Sequence, residues 1–190
     1  MSKPGRIRRI QVIHGPNLNL LGTGEPSLYG TVTLSTLNDR LVVLARDNRA
    51  DLQAVQSNAE GEIIDVIHSA GEWADGIVIN PGALGAYSYA IADALAGIGL
   101  PAIEVHLSNV HLKQEWRGKS VLAPIVVGYI GGLGWRSYIY AVQIMLDLIE
   151  EGIDLLLGSK SIRFKRESYI ALVGECESFV VLRSNHSAGT

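Results

Sequence analysis

Short apolar runs alternate with longer amphipathic stretches along this 190-residue chain. Residues 7–14, 52–56, 76–80, 101–106 and 124–130 are short, apolar and closed by polar or glycine-containing turns, which predicts strands. Between them, 34–47, 60–73, 88–96 and 137–151 have the length and periodicity of helices. A strand-to-helix alternation repeated four times predicts an α/β fold, a parallel sheet with helices on both faces. Ile77-Val78-Ile79 and Ile125-Val126-Val127 are apolar without alternation, as strands covered on both sides are. The last forty residues break the rhythm. Residues 161–166 and 169–183 read as a β-hairpin with Gly174 near its turn, and 184–190 read as a frayed tail. The expected division is a main domain over 1–155 and a C-terminal extension over 156–190, an oligomer contact or a lid rather than an independent domain.

Composition narrows the class. With 47% hydrophobic and 18% charged residues the chain supports one packed domain and is not a disordered one. A net charge of −3 offers no basic face to nucleic acid. Cys176 is the single cysteine, so neither a disulfide framework nor a cysteine zinc site is expected, and His14, His106 and His111 lack acidic companions at ligand spacing. The basic start Met1-Ser2-Lys3-Pro4-Gly5-Arg6 is followed by no long apolar run. The expectation is therefore a cytoplasmic protein without a signal peptide or membrane span.

The polar residues that close the strands carry the candidate chemistry. They are His14-Gly15-Pro16-Asn17-Leu18-Asn19 after the first, Gln56-Ser57-Asn58 after the second, Asn80-Pro81-Gly82-Ala83 after the third and His106-Leu107-Ser108-Asn109 after the fourth. In an open α/β sheet ligands bind beyond the carboxyl ends of the strands. Any one of these asparagines suits a helix cap or a turn. Four amide- or imidazole-bearing turns at one edge point instead to a pocket for a hydroxylated or carboxylated small molecule. No phosphate-cradling glycine loop and no Gly-x-Ser-x-Gly elbow is present. Tyr29 lies in the glycine-rich stretch 22–30 ahead of the first helix. It is either an ordinary exposed aromatic or a general base carried on a mobile loop, provided its surroundings lower its pKa.

Val12-Ile13-His14-Gly15-Pro16-Asn17-Leu18-Asn19-Leu20-Leu21-Gly22-Thr23, Glu25-Pro26 and Tyr29-Gly30 resemble the opening of the type II 3-dehydroquinate dehydratases. Gln56-Ser57-Asn58 with Glu60-Gly61-Glu62, Ile79-Asn80-Pro81-Gly82-Ala83 and Glu104-Val105-His106-Leu107-Ser108-Asn109-Val110-His111 resemble the same family, in order and spacing, over roughly residues 7–150. The resemblance implies a flavodoxin-like five-stranded sheet, no metal or cofactor, and a homo-oligomer, commonly twelve subunits arranged as four trimers. It implies a shikimate-pathway lyase that converts 3-dehydroquinate to 3-dehydroshikimate by anti elimination through an enolate. Tyr29 would then take the proton beside the ketone, His106 would protonate the departing hydroxyl, and Asn17 would hold a water or the enolate oxygen. Asn80 and the backbone amides of Leu107 and Ser108 would bind the carboxylate, Arg117 would contact a ring hydroxyl, and Asp93 would reach in from a neighbouring subunit.

Two positions depart from the family pattern. Gly24 stands where the family's lid has an arginine that favours ionised tyrosine, and Ala86 stands where it has a histidine that contacts substrate hydroxyls. Two further readings follow from these departures: a diverged lyase or isomerase acting on another cyclic ketone, and a non-catalytic scaffold that binds a small molecule. Retention of Tyr29, Asn17, His106 and Arg117 favours an enzyme, because a binding module needs neither an acid nor a base.

Overall fold

The computed structural model describes residues 6–23, 32–112 and 115–151. Five parallel strands, β1 (Arg8–His14), β2 (Ala50–Gln56), β3 (Gly76–Asn80), β4 (Ala102–His106) and β5 (Gly128–Gly131), form one sheet in the order β2-β1-β3-β4-β5. Helices α1 (Leu34–Asp47), α2 (Glu60–Trp73), α3 (Tyr89–Ile98) and α4 (Arg136–Glu151) connect the strands or follow the last. The architecture is the flavodoxin-like doubly wound sheet. The chain leaves β1 in one direction toward β2 and then returns past it to β3, so a crevice opens beyond the ends of β1 and β3.

Strand parity sets the two cores. Ile10 and Val12 of β1, Val78 of β3 and Ile103 and Val105 of β4 face α1 and α4, where Leu37, Leu41, Tyr138, Val142 and Met145 cover them. Ile13, Ile77 and Ile79 face α2 and α3, against Ile63, Ile67, Ile91 and Leu95. The helices bury residues four apart, such as Leu37, Leu41 and Ala45, because the spacing keeps them on one stripe. Thr33 caps α1 by accepting from the Thr36 N–H at 3.1 Å, and Ser88 caps α3 by accepting from the Ile91 N–H at 3.1 Å. Gly99, at φ 68°, ends α3 in the left-handed conformation that glycine adopts without strain.

The sequence reading meets the structure closely for α1, α2 and β3, whose bounds coincide with it. The last strand differs. Only Gly128–Gly131 pairs with β4, and the apolar run Ile125-Val126-Val127 precedes the strand. Pro124 has no N–H to give a ladder, and the N–H groups of Ile125 and Val126 both return to the Leu122 carbonyl in a turn. Ile125 and Val126 are apolar because they pack on the α2–α3 core, not because they form a strand. The hairpin read over 161–183 and the 156–190 extension lie outside the described residues. Among the described residues no helix is long and apolar enough to cross a membrane.

Candidate active site

A cleft of about 380 Å³ opens at the carboxyl ends of β1, β3 and β4. It is lined by Asn17 from the β1 turn, Asn80 at the end of β3 and Ala86 beyond it, and His106, Leu107 and Ser108 at the end of β4. Gly15 lets the β1 and β3 turns meet. Its N–H donates to the Asn80 carbonyl at 2.7 Å, and a Cβ there would fall 2.6 Å from the Pro81 oxygen. Asn17 follows in the left-handed region at φ 69°, which asparagine tolerates better than most residues. Its backbone N–H donates to Asn58 Oδ1 at 2.9 Å, and Gln56 Nε2 donates to the same oxygen at 3.0 Å.

His106 is the group best placed for proton transfer. Its Nε2 lies 2.7 Å from Oε1 of Glu104, two residues earlier on the same face of β4. Glu104 is only 1% exposed, and its second oxygen accepts from Ser120 Oγ at 2.5 Å. A carboxylate so removed from water needs hydrogen-bonding partners, and here it has two, the His106 ring and the Ser120 hydroxyl. The pair fixes the imidazole plane and leaves Nδ1 without a described protein partner, on a ring that lines the cleft. Tyr129, in register with Glu104 on β5, lies against the His106 ring at 5.2 Å between centroids and against His111 at 6.3 Å. Its hydroxyl is buried without a hydrogen-bond partner among the described residues. Burial first, and then the charge of Glu104, push the phenol above its ordinary pKa, so it stays neutral.

Beneath the cleft, on the opposite face of the sheet, lies a second polar group. His14 is fully buried, with Nε2 at 2.9 Å from Asn38 Oδ1 and Nδ1 at 2.9 Å from the Tyr138 hydroxyl. Burial lowers its pKa to about 4, against a smaller opposing effect of the Asn38 hydrogen bond, so the ring is neutral near pH 7. Tyr138, also fully buried, is held well above the usual tyrosine range by desolvation, opposed by a hydrogen bond from Asn80.

Of the residues expected from sequence, Asn17, Asn80, His106, Leu107 and Ser108 come together in one cleft. Arg117 belongs to a short 3-10 turn, Glu115–Gly118, whose Trp116 and Gly118 line the same cleft. Asp93 is exposed on α3 and does not line the cleft. Tyr29 and Gly24 lie outside the described residues. Two expectations shift. The β2 turn, Gln56-Ser57-Asn58, buttresses the Asn17 backbone rather than lining the cleft, and His14 points beneath the sheet edge rather than into it. Sequence reasoning gave no role to Glu104, Ser120, Tyr129 or Tyr138. Glu104 had a legible signal, because residues two apart on a strand share a face.

The chain matches the family model described as "Dehydroquinase class II" over residues 8–146. It is 50% identical over 135 residues to the 3-dehydroquinate dehydratase of Pelotomaculum thermopropionicum, covering 71% of this chain and 94% of that one. It is likewise 50% identical over 144 residues to the 3-dehydroquinate dehydratase of Roseiflexus castenholzii, covering 76% and 92%. The crystal structure of the type II dehydroquinase from Butyrivibrio crossotus superposes with a TM-score of 0.71 at 43% identity, covering 73% of this chain and 97% of that one. A cleft at the predicted sheet edge, a buried carboxylate–imidazole pair and this degree of likeness agree: the chain belongs to the class II (type II) dehydroquinase family.

Proposed function

We propose that this chain is a hydro-lyase that dehydrates 3-dehydroquinate to 3-dehydroshikimate through an enolate. The observation that carries the reading is the His106–Glu104 pair at 2.7 Å, set in a cleft that Asn17, Asn80 and Ser108 also line. The ketone acidifies its neighbouring carbon; a base removes that proton, the electrons pass to the ketone oxygen, and the enolate then expels the β-hydroxyl. A proton delivered from His106 Nδ1 turns that hydroxyl into water, and the carbonyl re-forms beside the new double bond. Glu104 favours this because an imidazolium with a buried carboxylate on Nε2 is stabilised until Nδ1 gives up its proton. Asn17 is our candidate for holding a water or the enolate oxygen, where charge develops. Asn80 and the amides of Leu107 and Ser108 are assigned to the carboxylate, and Arg117 to a ring hydroxyl. Tyr29 is assigned as the base on its place in the family motif.

Asp93 is assigned to a neighbouring subunit's cleft in a homo-oligomer. Its exposure on α3 away from its own cleft supports this, as do the exposed rings of Tyr87 and Tyr89 at the same helix start. The test follows the conjugated product by its ultraviolet absorbance in purified full-length protein, with identity confirmed by mass spectrometry. Turnover of 3-dehydroquinate that drops by a factor of ~10²–10⁴ in His106→Ala is expected. No turnover by the parent, or a loss below tenfold in the variant, rejects the assignment.

A further inference from the structure

We propose that Lys119 is a specificity-determining residue, the cation by which the cleft prefers a carboxylated ring to a neutral ring of the same shape. The inference deepens the proposed function and rests on its reading of the substrate as a cyclic keto acid.

The charges of the cleft leave a place for such a group. Glu104 stands in its wall, 1% exposed, with Oε1 at 2.7 Å from His106 Nε2 and Oε2 accepting from Ser120 Oγ at 2.5 Å. A substrate carboxylate brings a second negative charge into the same space. His106 offsets one of the two only while it is protonated, and the proposed reaction takes that proton away. The groups assigned to the carboxylate, Asn80 and the amides of Leu107 and Ser108, direct hydrogen bonds but carry no net charge. Among the described residues that line the cleft, Lys119 alone carries an ammonium or guanidinium group.

The backbone around Lys119 is pinned to the cleft on both sides. Ser120, the next residue, bonds to Glu104 and accepts from the N–H groups of Leu122 and Ala123 at 3.1 and 3.2 Å. The Val121 N–H donates to the Gly85 carbonyl at 2.8 Å, which ties the segment to the 3-10 turn Gly82–Ala86 beyond β3. On the other side Gly118 packs against His111, so close that a Cβ would lie 3.3 Å from its Nδ1. Lys119 is thereby carried on the cleft wall, while its side chain remains exposed. A lysine ammonium is a point charge on a flexible stem: it attracts an anion without fixing its orientation. Neutral amides orient the carboxylate, and the cation selects for its charge. Exposure makes the attraction modest and sensitive to salt, which supplies the test.

The experiment compares parent, Lys119→Gln, Lys119→Arg and Arg46→Gln in the full chain, by steady-state kinetics on 3-dehydroquinate and on its uncharged methyl ester. Each is measured at ~20 mM and ~500 mM salt, which brackets weak and strong screening. Arg46 is the control for net charge, exposed in the last turn of α1 beside the start of β2, at the opposite end of the sheet from the cleft. Thermal melts check that each variant is folded. At low salt Lys119→Gln is expected to lower the ratio of kcat/KM for acid over ester about three- to tenfold, through KM for the acid, with kcat within about twofold. Lys119→Arg, which keeps the charge, should hold the ratio within about twofold of the parent. High salt should bring the parent down toward Lys119→Gln and change Lys119→Gln little, and Arg46→Gln should follow the parent. Equal losses on acid and ester would show a merely structural role and overturn the proposal. So would an equal fall of the ratio in Arg46→Gln, which would make the effect one of net charge. A parent that turns over the acid while Lys119→Gln keeps its ratio and salt dependence overturns this inference alone. A parent that turns over neither compound overturns the proposed function, and the role of Lys119 with it.

Discussion

Replacing Glu104 by glutamine isolates the electrostatic half of the proposed acid. Glutamine keeps the shape of the side chain, its Oε1 still accepts from His106 Nε2, and its amide N–H can turn to the Ser120 oxygen. Only the charge is lost. The bond that changes is 2.7 Å long, and its carboxylate is 1% exposed, so solvent screening reduces the effect little. A hydrogen bond to a charged group contributes ~1.5–3 kcal/mol, against about 1 kcal/mol for a neutral one. The protonated imidazole, and the transition state that draws on it, should lose that difference, ~0.5–2 kcal/mol. At ~1.4 kcal/mol per decade, kcat at neutral pH should fall ~2- to 30-fold, with KM nearly unchanged because Glu104 is assigned no contact with substrate. The assay is the steady-state rate of conjugated product formation, with a thermal melt to show that Glu104→Gln is folded. A kcat within twofold of the parent would refute the reasoning, since the buried charge would then do nothing for His106. A rise in KM that accounts for the whole loss would also refute it, by making Glu104 a binding group.

Three further outcomes follow from the geometry. Gly131 pairs with His106, and even a Cβ there would lie 3.2 Å from Tyr129 Cε1 and 3.5 Å from His106 Cβ; Gly131→Val should therefore displace the tyrosine ring and cut kcat at least tenfold, and Tyr129→Val in the same chain should recover most of it. If Asp93 completes a neighbour's cleft, co-assembled subunits carrying His106→Ala and Asp93→Ala should regain activity that neither has alone, and persistent inactivity of the mixture would place Asp93 outside the site. His14 titrates at about 4 when folded against 6.5 in an unfolded chain, so between those values the unfolded state binds the extra proton and stability falls as pH drops. The loss amounts to about 3 kcal/mol by pH 4, or ~6–12 °C of melting temperature for a domain of this size. The His14→Asn variant should show a correspondingly shallower decline in thermal melts between pH 7 and pH 4.5, and equal slopes would refute the assignment.

The sequence was most informative where one physical rule dominates. Helices α1 and α2 were legible because their apolar residues follow a single stripe and their ends are marked, and β3 because a short apolar run closes in Asn80-Pro81. The edge at which the cleft opens was legible too, since it follows from parallel topology. Periodicity misled at residues 124–127, where apolar side chains pack on a core from a turn; hydropathy reports burial, whereas a strand also requires donors, which Pro124 lacks. Tyr129 escaped notice because its place beside Glu104 and His106 comes from a cross-strand pairing that no local pattern encodes, whereas Glu104 could have been read from its two-residue spacing to His106 on one strand. Tyr138 looked like one more apolar position of an amphipathic helix. Its hydroxyl is satisfied because the fold brings His14 to it, at 2.9 Å.

Strand parity also explains why the chemistry sits beyond the sheet rather than on either face. Asn80 shares a face with Val78 and so belongs to the α1–α4 side, together with His14 and Tyr138. His106 and Glu104 alternate with Ile103 and Val105 and so belong to the α2–α3 side, together with Ser120. Within the sheet these two polar groups are separated by the backbone layer and each is enclosed by its own apolar core. A single small molecule can meet both only where the strands stop. There the left-handed turn at Asn17 and the close approach of Gly15 to Pro81 bring the two sides to one cleft. On the proposed assignment, one side orients the molecule through Asn80 while the other exchanges protons with it through His106. Each polar set is buttressed from its own face of the sheet, so substitutions in one set should add to those in the other. The double variant Glu104→Gln with Asn80→Ala tests this: its loss in kcat/KM should equal the product of the single losses to within about twofold. A loss close to that of either single variant would mean that the two faces act as one unit.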